Sequence, residues 1–215
     1  MVEVEAEQEY QLKQANSDQG ALVYASWPEI QLWQEFRSGN PQAFDYIFEQ
    51  YIRLLYSYGH KFTAKSAIVE DCIQDLFIEL WEKKHLLSAT NSIKYYLFKS
   101  LRRKLTRSLE KEKHILGQVA LENDYQFNIT FSHETQFISN QITEEQHKGL
   151  TEALAMLSKR QKEVIYLRYF SNLSYEEVAS IMGLNLNSTY KIVSKAIHSL
   201  KQHLMLPLAI LLLLL

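Results

Sequence analysis

Asn187, Ser188, Tyr190, Lys191, Ser194 and Lys195 set amide, hydroxyl and ammonium groups along one short stretch near the carboxy-terminal end, with no carboxylate among them. These groups can meet phosphate oxygens and base edges, as needed to read duplex DNA in its major groove. A second set, Lys94, Tyr95, Lys99, Arg102, Arg103 and Arg107, combines cations for phosphates with a ring on which an extruded base can stack. Tyr96 offers another ring, and at least one of the two tyrosines has to be buried for a helix there to pack. The basic residues continue with Lys104, Lys111 and Lys113, while acids gather upstream at Glu70, Asp71, Asp75, Glu79 and Glu82. A net charge of -2 argues at first sight against a nucleic-acid partner, but the separation of local charge suggests two different partners.

Nothing in the chain is arranged for catalysis. It has no glycine-rich phosphate loop, no nucleophile paired with a base and no converging carboxylate pair, so no enzyme, catalytic residue or cofactor is expected. Cys72 is the only cysteine and lies in an apolar helical stripe, which leaves no disulfide framework or cysteine metal site and implies a reduced, cytoplasmic setting. The seven histidines lack the paired spacing of a zinc site, and no metal is expected.

The elements that must position these groups are helices. Six glycines and three prolines in 215 residues, with long stretches of Leu, Ile, Lys, Glu, Gln and Ser, predict an all-α fold of two small helical domains joined by a flexible linker. Residues 1–26 lack apolar periodicity and read as a mobile leader. They are polar and acidic, unlike a signal peptide. The first domain spans residues 27–113. A helix from Pro28 to Arg37 ends at Ser38-Gly39-Asn40-Pro41. A second helix places Phe44, Ile47, Phe48, Tyr51, Leu54, Leu55 and Tyr58 in the core. A third carries Ile68, Val69, Cys72, Ile73, Leu76, Phe77, Leu80 and Trp81 on one face and the acids elsewhere. A fourth, from about Ser92, buries Ile93, Leu97, Leu101 and Leu105 and leaves its basic residues outside.

Residues 114–141 read as a linker, in which Tyr125, Phe127 and Phe131 occur without a clean helical period. The second domain, residues 142–203, carries two capping-box patterns, Ser158-Lys159-Arg160-Gln161 and Ser174-Tyr175-Glu176-Glu177. Its segment LSYEEVASIMGLNLNSTYKIVSKAIHSL, Leu173 to Leu200, reads as a helix-turn-helix with Gly183 at the turn and an Asn cap on the second helix. Residues 204–215, LMLPLAILLLLL, form an apolar tail shorter than the ~20 residues that span a bilayer, so no stable membrane insertion is expected.

With these motifs in place, the chain resembles the sigma-70 superfamily and, within it, the extracytoplasmic-function group in the form abundant in Bacteroidetes. LSKRQKEVIYLRYFSNLSYEEVASIMGLN resembles the family's region 4, and STYKIVSKAIHSL resembles its recognition helix. AFDYIFEQYIRLLYSYGHKF, DCIQDLFIELWEKK and SIKYYLFKSLRRKLTRSL are similar, in order and spacing, to region 2. The resemblance implies an alternative sigma factor that binds core RNA polymerase and directs promoter-specific initiation. It assigns Asp71, Gln74, Asp75, Glu79 and Trp81 to core-polymerase binding. It also places the stretch from about Ser88 to Arg107 against the promoter's minus-ten element and the second domain's recognition helix against the minus-thirty-five element. An anti-sigma factor, often membrane-spanning, is the further partner it implies.

Two departures stand out. The recognition helix has few arginines beside typical members, and the linker is too short for the middle domain of housekeeping sigma factors. The residues alone also leave open a helix-turn-helix regulator that binds DNA without polymerase, and a membrane-associated interaction protein held by its apolar tail.

Overall fold

The computed structural model describes residues 23–115, 125–129 and 144–203. The apolar tail, all but the end of the expected leader and most of the expected linker lie outside the described residues. Within them the fold is all-α, with two helical units.

The first unit opens with α1, Glu29–Arg37, which buries Leu32, Trp33 and Phe36. Gly39 turns the chain at a φ of 96°, and Asn40 starts the next helix. The Asn40 side-chain oxygen accepts from the backbone N–H groups of Gln42 and Ala43 at 3.0 and 3.3 Å, satisfying donors that a helix start leaves without intrahelical partners. That helix, α2, runs Pro41–Gly59 and buries Ala43, Ile47, Tyr51, Leu55 and Tyr58. Phe48 and Leu54, expected in this core, are instead exposed. Five apolar side chains along one stripe already cover the width of helix that its neighbours can bury, and these two fall at its margins.

Helix α3, Ser66–Glu82, buries Val69, Cys72, Ile73, Leu76, Phe77 and Leu80, with Ile68 and Trp81 half-buried at the edges. It approaches α2 so closely that a Cβ on Gly59 would stand 2.5 Å from Val69 Cγ1. After a 3-10 turn at Lys84–Leu86 comes α4, Ile93–Ile115, which buries Ile93, Leu97, Phe98, Leu101 and Leu105. The Trp33 indole N–H donates to the Ser88 carbonyl at 2.9 Å, tying α1 to the loop before α4.

The second unit comprises α5, Glu144–Ala155, α6, Lys159–Ile165, α7, Tyr175–Met182, and α8, Leu186–His203. Both expected capping boxes form, Ser158 with Gln161 and Ser174 with Glu177. Beyond α6 the helix widens into a π-helical turn, Tyr166–Phe170, whose closing bond runs from the Ser171 N–H to the Tyr166 carbonyl at 2.9 Å. Gly183 ends α7 at a φ of 64°, a left-handed conformation that disfavours a Cβ, and so turns the chain back to let α8 pack against α7.

The two units share one apolar core. The Tyr58 ring lies 4.8 Å from Phe98, 5.8 Å from Tyr166 and 6.0 Å from Phe127. Residues 125–129, read from the sequence as part of a linker, bury Tyr125, Phe127 and Ile129 while Gln126 and Asn128 face out. The Asn128 N–H donates to the Lys61 carbonyl at 2.8 Å, fixing this extended segment to the end of α2.

Candidate nucleic-acid interface

Helix α8 carries the candidate groove-reading face. Its start is capped by Asn185, whose side-chain oxygen accepts from the Ser188 N–H at 2.7 Å. Thr189 is fully buried, and its hydroxyl donates to the Asn185 carbonyl at 3.1 Å. Val193, Ala196 and Leu200 point inward against Val178, Ala179 and Ile181 of α7, with Leu184 and Ile192 half-buried beside them. That packing turns Asn187, Tyr190, Lys191, Ser194 and Lys195 to solvent and leaves Ser188 half-buried at the helix start. The exposed face is polar and cationic and carries no carboxylate.

An aromatic shelf beneath Tyr190 was not evident in the sequence. The Tyr190 ring lies 4.4 Å from that of Tyr175, and the Arg168 guanidinium sits 5.0 Å from the Tyr175 ring and 5.7 Å from that of Tyr169. Arg168 also donates to the Leu173 carbonyl at 3.2 Å. Stacking narrows the rotamers open to Tyr190, so it presents an ordered edge beside Lys191.

The candidate set on α4 divides. Arg103 and Arg107 are exposed, whereas Lys94, Tyr95, Lys99 and Arg102 all contact the second unit. Lys94 Nζ donates to the Ser171 carbonyl at 3.2 Å. The Tyr95 and Ser180 hydroxyls are 2.7 Å apart, and Lys99 Nζ donates to both at 2.9 Å. Burial alone would raise the Tyr95 phenol, but the hydrogen bonds from Lys99 and Ser180 outweigh it and hold the phenol below its usual range. Tyr96 is the tyrosine that packs, with its ring 5.1 Å from Trp33, and burial raises its phenol.

Arg102 reaches a carboxylate that is completely buried. Its Nε and Nη2 donate to Glu163 Oε1 and Oε2 at 2.7 and 3.3 Å. Tyr58 Oη donates to Glu163 Oε1 at 2.9 Å, and the Tyr125 hydroxyl donates to Oε2. Burial opposes the charge on Arg102, but the adjoining carboxylate holds the guanidinium above its ordinary range. Burial first, and then the Glu163 charge, raise the Tyr58 and Tyr125 phenols.

The five residues read on α3 fall on two sides of its exposed surface. Asp71, Asp75 and Glu79 form a stripe at helical spacing, and Glu79 Oε1 lies 2.9 Å from Lys104 Nζ on α4. That hydrogen bond holds the Glu79 carboxyl below its usual range. Gln74 and Trp81 face the other way, into a groove of about 590 Å³ between α2 and α3. Phe44, Phe48, Ile52 and Phe77 supply its apolar wall, and Glu70 and Glu82 stand at its rim. The exposure of Phe48 and Ile78 marks this groove as an apolar surface that no other described residue covers. Among the described residues no cluster of His, Cys, Asp and Glu is placed to hold a metal, and no helix is long and apolar enough to cross a membrane.

Comparison with known proteins places both units. Residues 47–115 match Sigma-70 region 2, and residues 147–200 match Sigma-70, region 4. The chain is 22% identical over 158 residues to RNA polymerase sigma factor YlaC of Bacillus subtilis, covering 74% of this chain and 90% of the relative. It is 24% identical over 165 residues to ECF RNA polymerase sigma factor RpoE of Cereibacter sphaeroides, covering 75% and 86%.

Among solved structures it is similar to CnrH in complex with the cytosolic domain of CnrY, with a TM-score of 0.53 and 16% identity over 82% of this chain and 96% of the other. It is also similar to the sigma factor RpoE bound to the anti-sigma factor NepR from Bartonella quintana, with a TM-score of 0.52 and 23% identity over 74% and 95%. At these identities the structural likeness concerns the fold. A regulator acting without polymerase would have no use for the first unit, so the paired matches set that reading aside. The chain belongs to the sigma-70 family, as a sigma factor of the extracytoplasmic-function group.

Proposed function

We propose a division of labour between the two units as this sigma factor directs promoter-specific initiation by core RNA polymerase. The first unit docks on the polymerase through the exposed surface of α3, with Asp71, Gln74, Asp75, Glu79 and Trp81 as its contacts. It then opens the minus-ten element along α4, where Lys94, Lys99, Arg102, Arg103 and Arg107 meet phosphates and Tyr95 offers a stacking surface. The second unit reads the minus-thirty-five element through Asn187, Ser188, Tyr190, Lys191, Ser194 and Lys195 of α8.

The observation that carries this reading is the charge layout on a shared scaffold. A carboxylate-free polar face lies on α8, a cationic stripe on α4, and an acidic stripe beside an apolar groove on α3. Acids flanking apolar side chains suit a basic, amphipathic helical partner, as core polymerase would supply. The same surface is where an anti-sigma factor would compete, and the lone cysteine suits a cytoplasmic place of action.

The test is gel filtration of the protein with purified core polymerase, followed by footprinting of the eluted complex on promoter DNA. Co-elution with protection of both promoter elements supports the division of labour. Separate elution removes the assignment of α3.

A further inference from the structure

Tyr190 stands in the middle of the carboxylate-free face of α8, between Asn187 one turn before it and Ser194 one turn after, and is 46% exposed. The other candidate side chains on that face offer amide, hydroxyl and ammonium groups, so the Tyr190 ring is its largest apolar surface, extended one turn earlier by Leu186. We infer that Tyr190 reads the 5-methyl group of a thymine in the minus-thirty-five element, and that Tyr175, on which it stacks, is a positioning residue for that contact. The inference rests on the assignment of α8 to the minus-thirty-five element.

The match is one of chemistry. Base edges in the major groove present hydrogen-bond donors and acceptors at every pair, and the thymine methyl is the apolar group among them. A ring pressed against a donor or acceptor strips water from it and returns no hydrogen bond, whereas a ring pressed against a methyl removes apolar area on both sides from water. The hydroxyl at the far end of the ring stays free to meet water or a phosphate.

The packing beneath the ring distinguishes Tyr190 from an ordinary exposed tyrosine. Its centroid lies 4.4 Å from that of Tyr175, with the planes inclined by 32°. The Arg168 guanidinium stands 5.0 Å from the Tyr175 ring and 5.7 Å from that of Tyr169, so one cation faces two rings. Arg168 donates to the Leu173 carbonyl at 3.2 Å, while its Nε is buried without a hydrogen-bond partner. The two ring faces therefore supply part of the compensation for that cation. Arg168 and Tyr169 belong to the π-helical turn Tyr166–Phe170, and Asn172 just beyond it holds a φ of 51°, a left-handed conformation that asparagine tolerates.

The series Tyr169, Arg168, Tyr175, Tyr190 thus joins the π-helical turn, the start of α7 and the reading face of α8. A tyrosine on a bare helix samples several rotamers and loses that freedom on meeting DNA. Stacking on Tyr175 removes most of it beforehand, so the ring edge is already in place when the groove arrives.

The experiment measures binding of this protein with core polymerase to promoter duplexes in which each thymine of the footprinted minus-thirty-five element is replaced in turn by uracil. Uracil lacks the methyl group and keeps every hydrogen-bonding group. The parent should bind about fourfold more weakly at one such position, as expected for one buried methyl. Tyr190→Ala should bind the thymine and uracil duplexes alike at that position. Tyr175→Leu should lose most of the difference, and Tyr175→Phe, which keeps the ring, should retain it. Ser174 caps α7 through its own side chain, so leucine at the next position leaves the cap in place.

A parent that binds every uracil duplex as tightly as the thymine one, or Tyr190→Ala protein that keeps the difference at every position, overturns the thymine reading. An unchanged difference in Tyr175→Leu overturns the positioning role. A parent complex that leaves the minus-thirty-five element unprotected removes the assignment of α8 itself, a separate failure seen in the footprint before any uracil is introduced.

Discussion

Replacing Arg102 by methionine probes the buried contact most sharply. The substitution keeps an apolar stem but removes the donors at 2.7 and 3.3 Å from Glu163, leaving that carboxylate only the hydroxyls of Tyr58 and Tyr125. Removing one partner of a buried pair costs about 3–5 kcal/mol, because the remaining charge is neither hydrated nor neutralised. The Arg102 side chain is 14% exposed, whereas that of Glu163 is not exposed at all. Water therefore softens the loss only from the arginine side, and about 3 kcal/mol is expected.

The assay is urea denaturation followed by helical circular dichroism. Arg102→Met should lose about 3 kcal/mol. Arg102→Met combined with Glu163→Gln should recover most of the loss, since the uncharged amide can accept from one tyrosine hydroxyl through its oxygen and donate to the other through its NH2 group. A loss below about 1 kcal/mol would refute the claim that Glu163 depends on Arg102.

Other outcomes follow from the same physical reasoning. Lys191→Glu with Lys195→Glu puts carboxylates on the groove-reading face of α8, and promoter binding in a gel-shift assay should fall by at least about tenfold while polymerase binding holds. Asp75→Lys with Glu79→Lys reverses the α3 stripe, and co-purified polymerase should drop sharply while helicity stays at the parent level. Leu101→Ala empties a fully buried site on α4 and should cost about 2–5 kcal/mol in urea unfolding. Gly183→Ala meets no atom within 4 Å but must hold a φ of 64°, so thermal unfolding should report only a backbone cost of about 1–2 kcal/mol.

The helices were legible because their apolar residues recur at helical spacing. Ile93, Leu97, Leu101 and Leu105 repeat at four-residue steps and are all buried, as are Val69, Cys72, Ile73, Leu76, Phe77 and Leu80. The helix caps at Ser158 and Ser174 were equally plain, because each motif is closed within four residues. Spacing does not say how wide a stripe its neighbours can cover, so Phe48 was read into the core although it forms part of the groove wall. Tyr125, Phe127 and Ile129 carry a signal, an alternation with Gln126 and Asn128, but its period is that of extended chain and too brief to stand out among helices.

Glu163 carries the weakest local signal of the residues that join the two units. Its i+3 and i+4 neighbours, Tyr166 and Leu167, put it on an apolar face, but its partners Tyr58 and Arg102 lie 105 and 61 positions away. No local pattern pairs residues at that range. The candidate DNA contacts on α4 were legible as chemistry, but their engagement by Ser171, Ser180 and Glu163 depends on tertiary packing alone.

In vitro transcription with purified core polymerase, with and without this protein, on genomic fragments carrying candidate promoters bears most directly on the central claim. New start sites that depend on the protein are predicted, each preceded by elements at minus-ten and minus-thirty-five. DNA binding by the protein alone, with no start site on any fragment, would contradict the account.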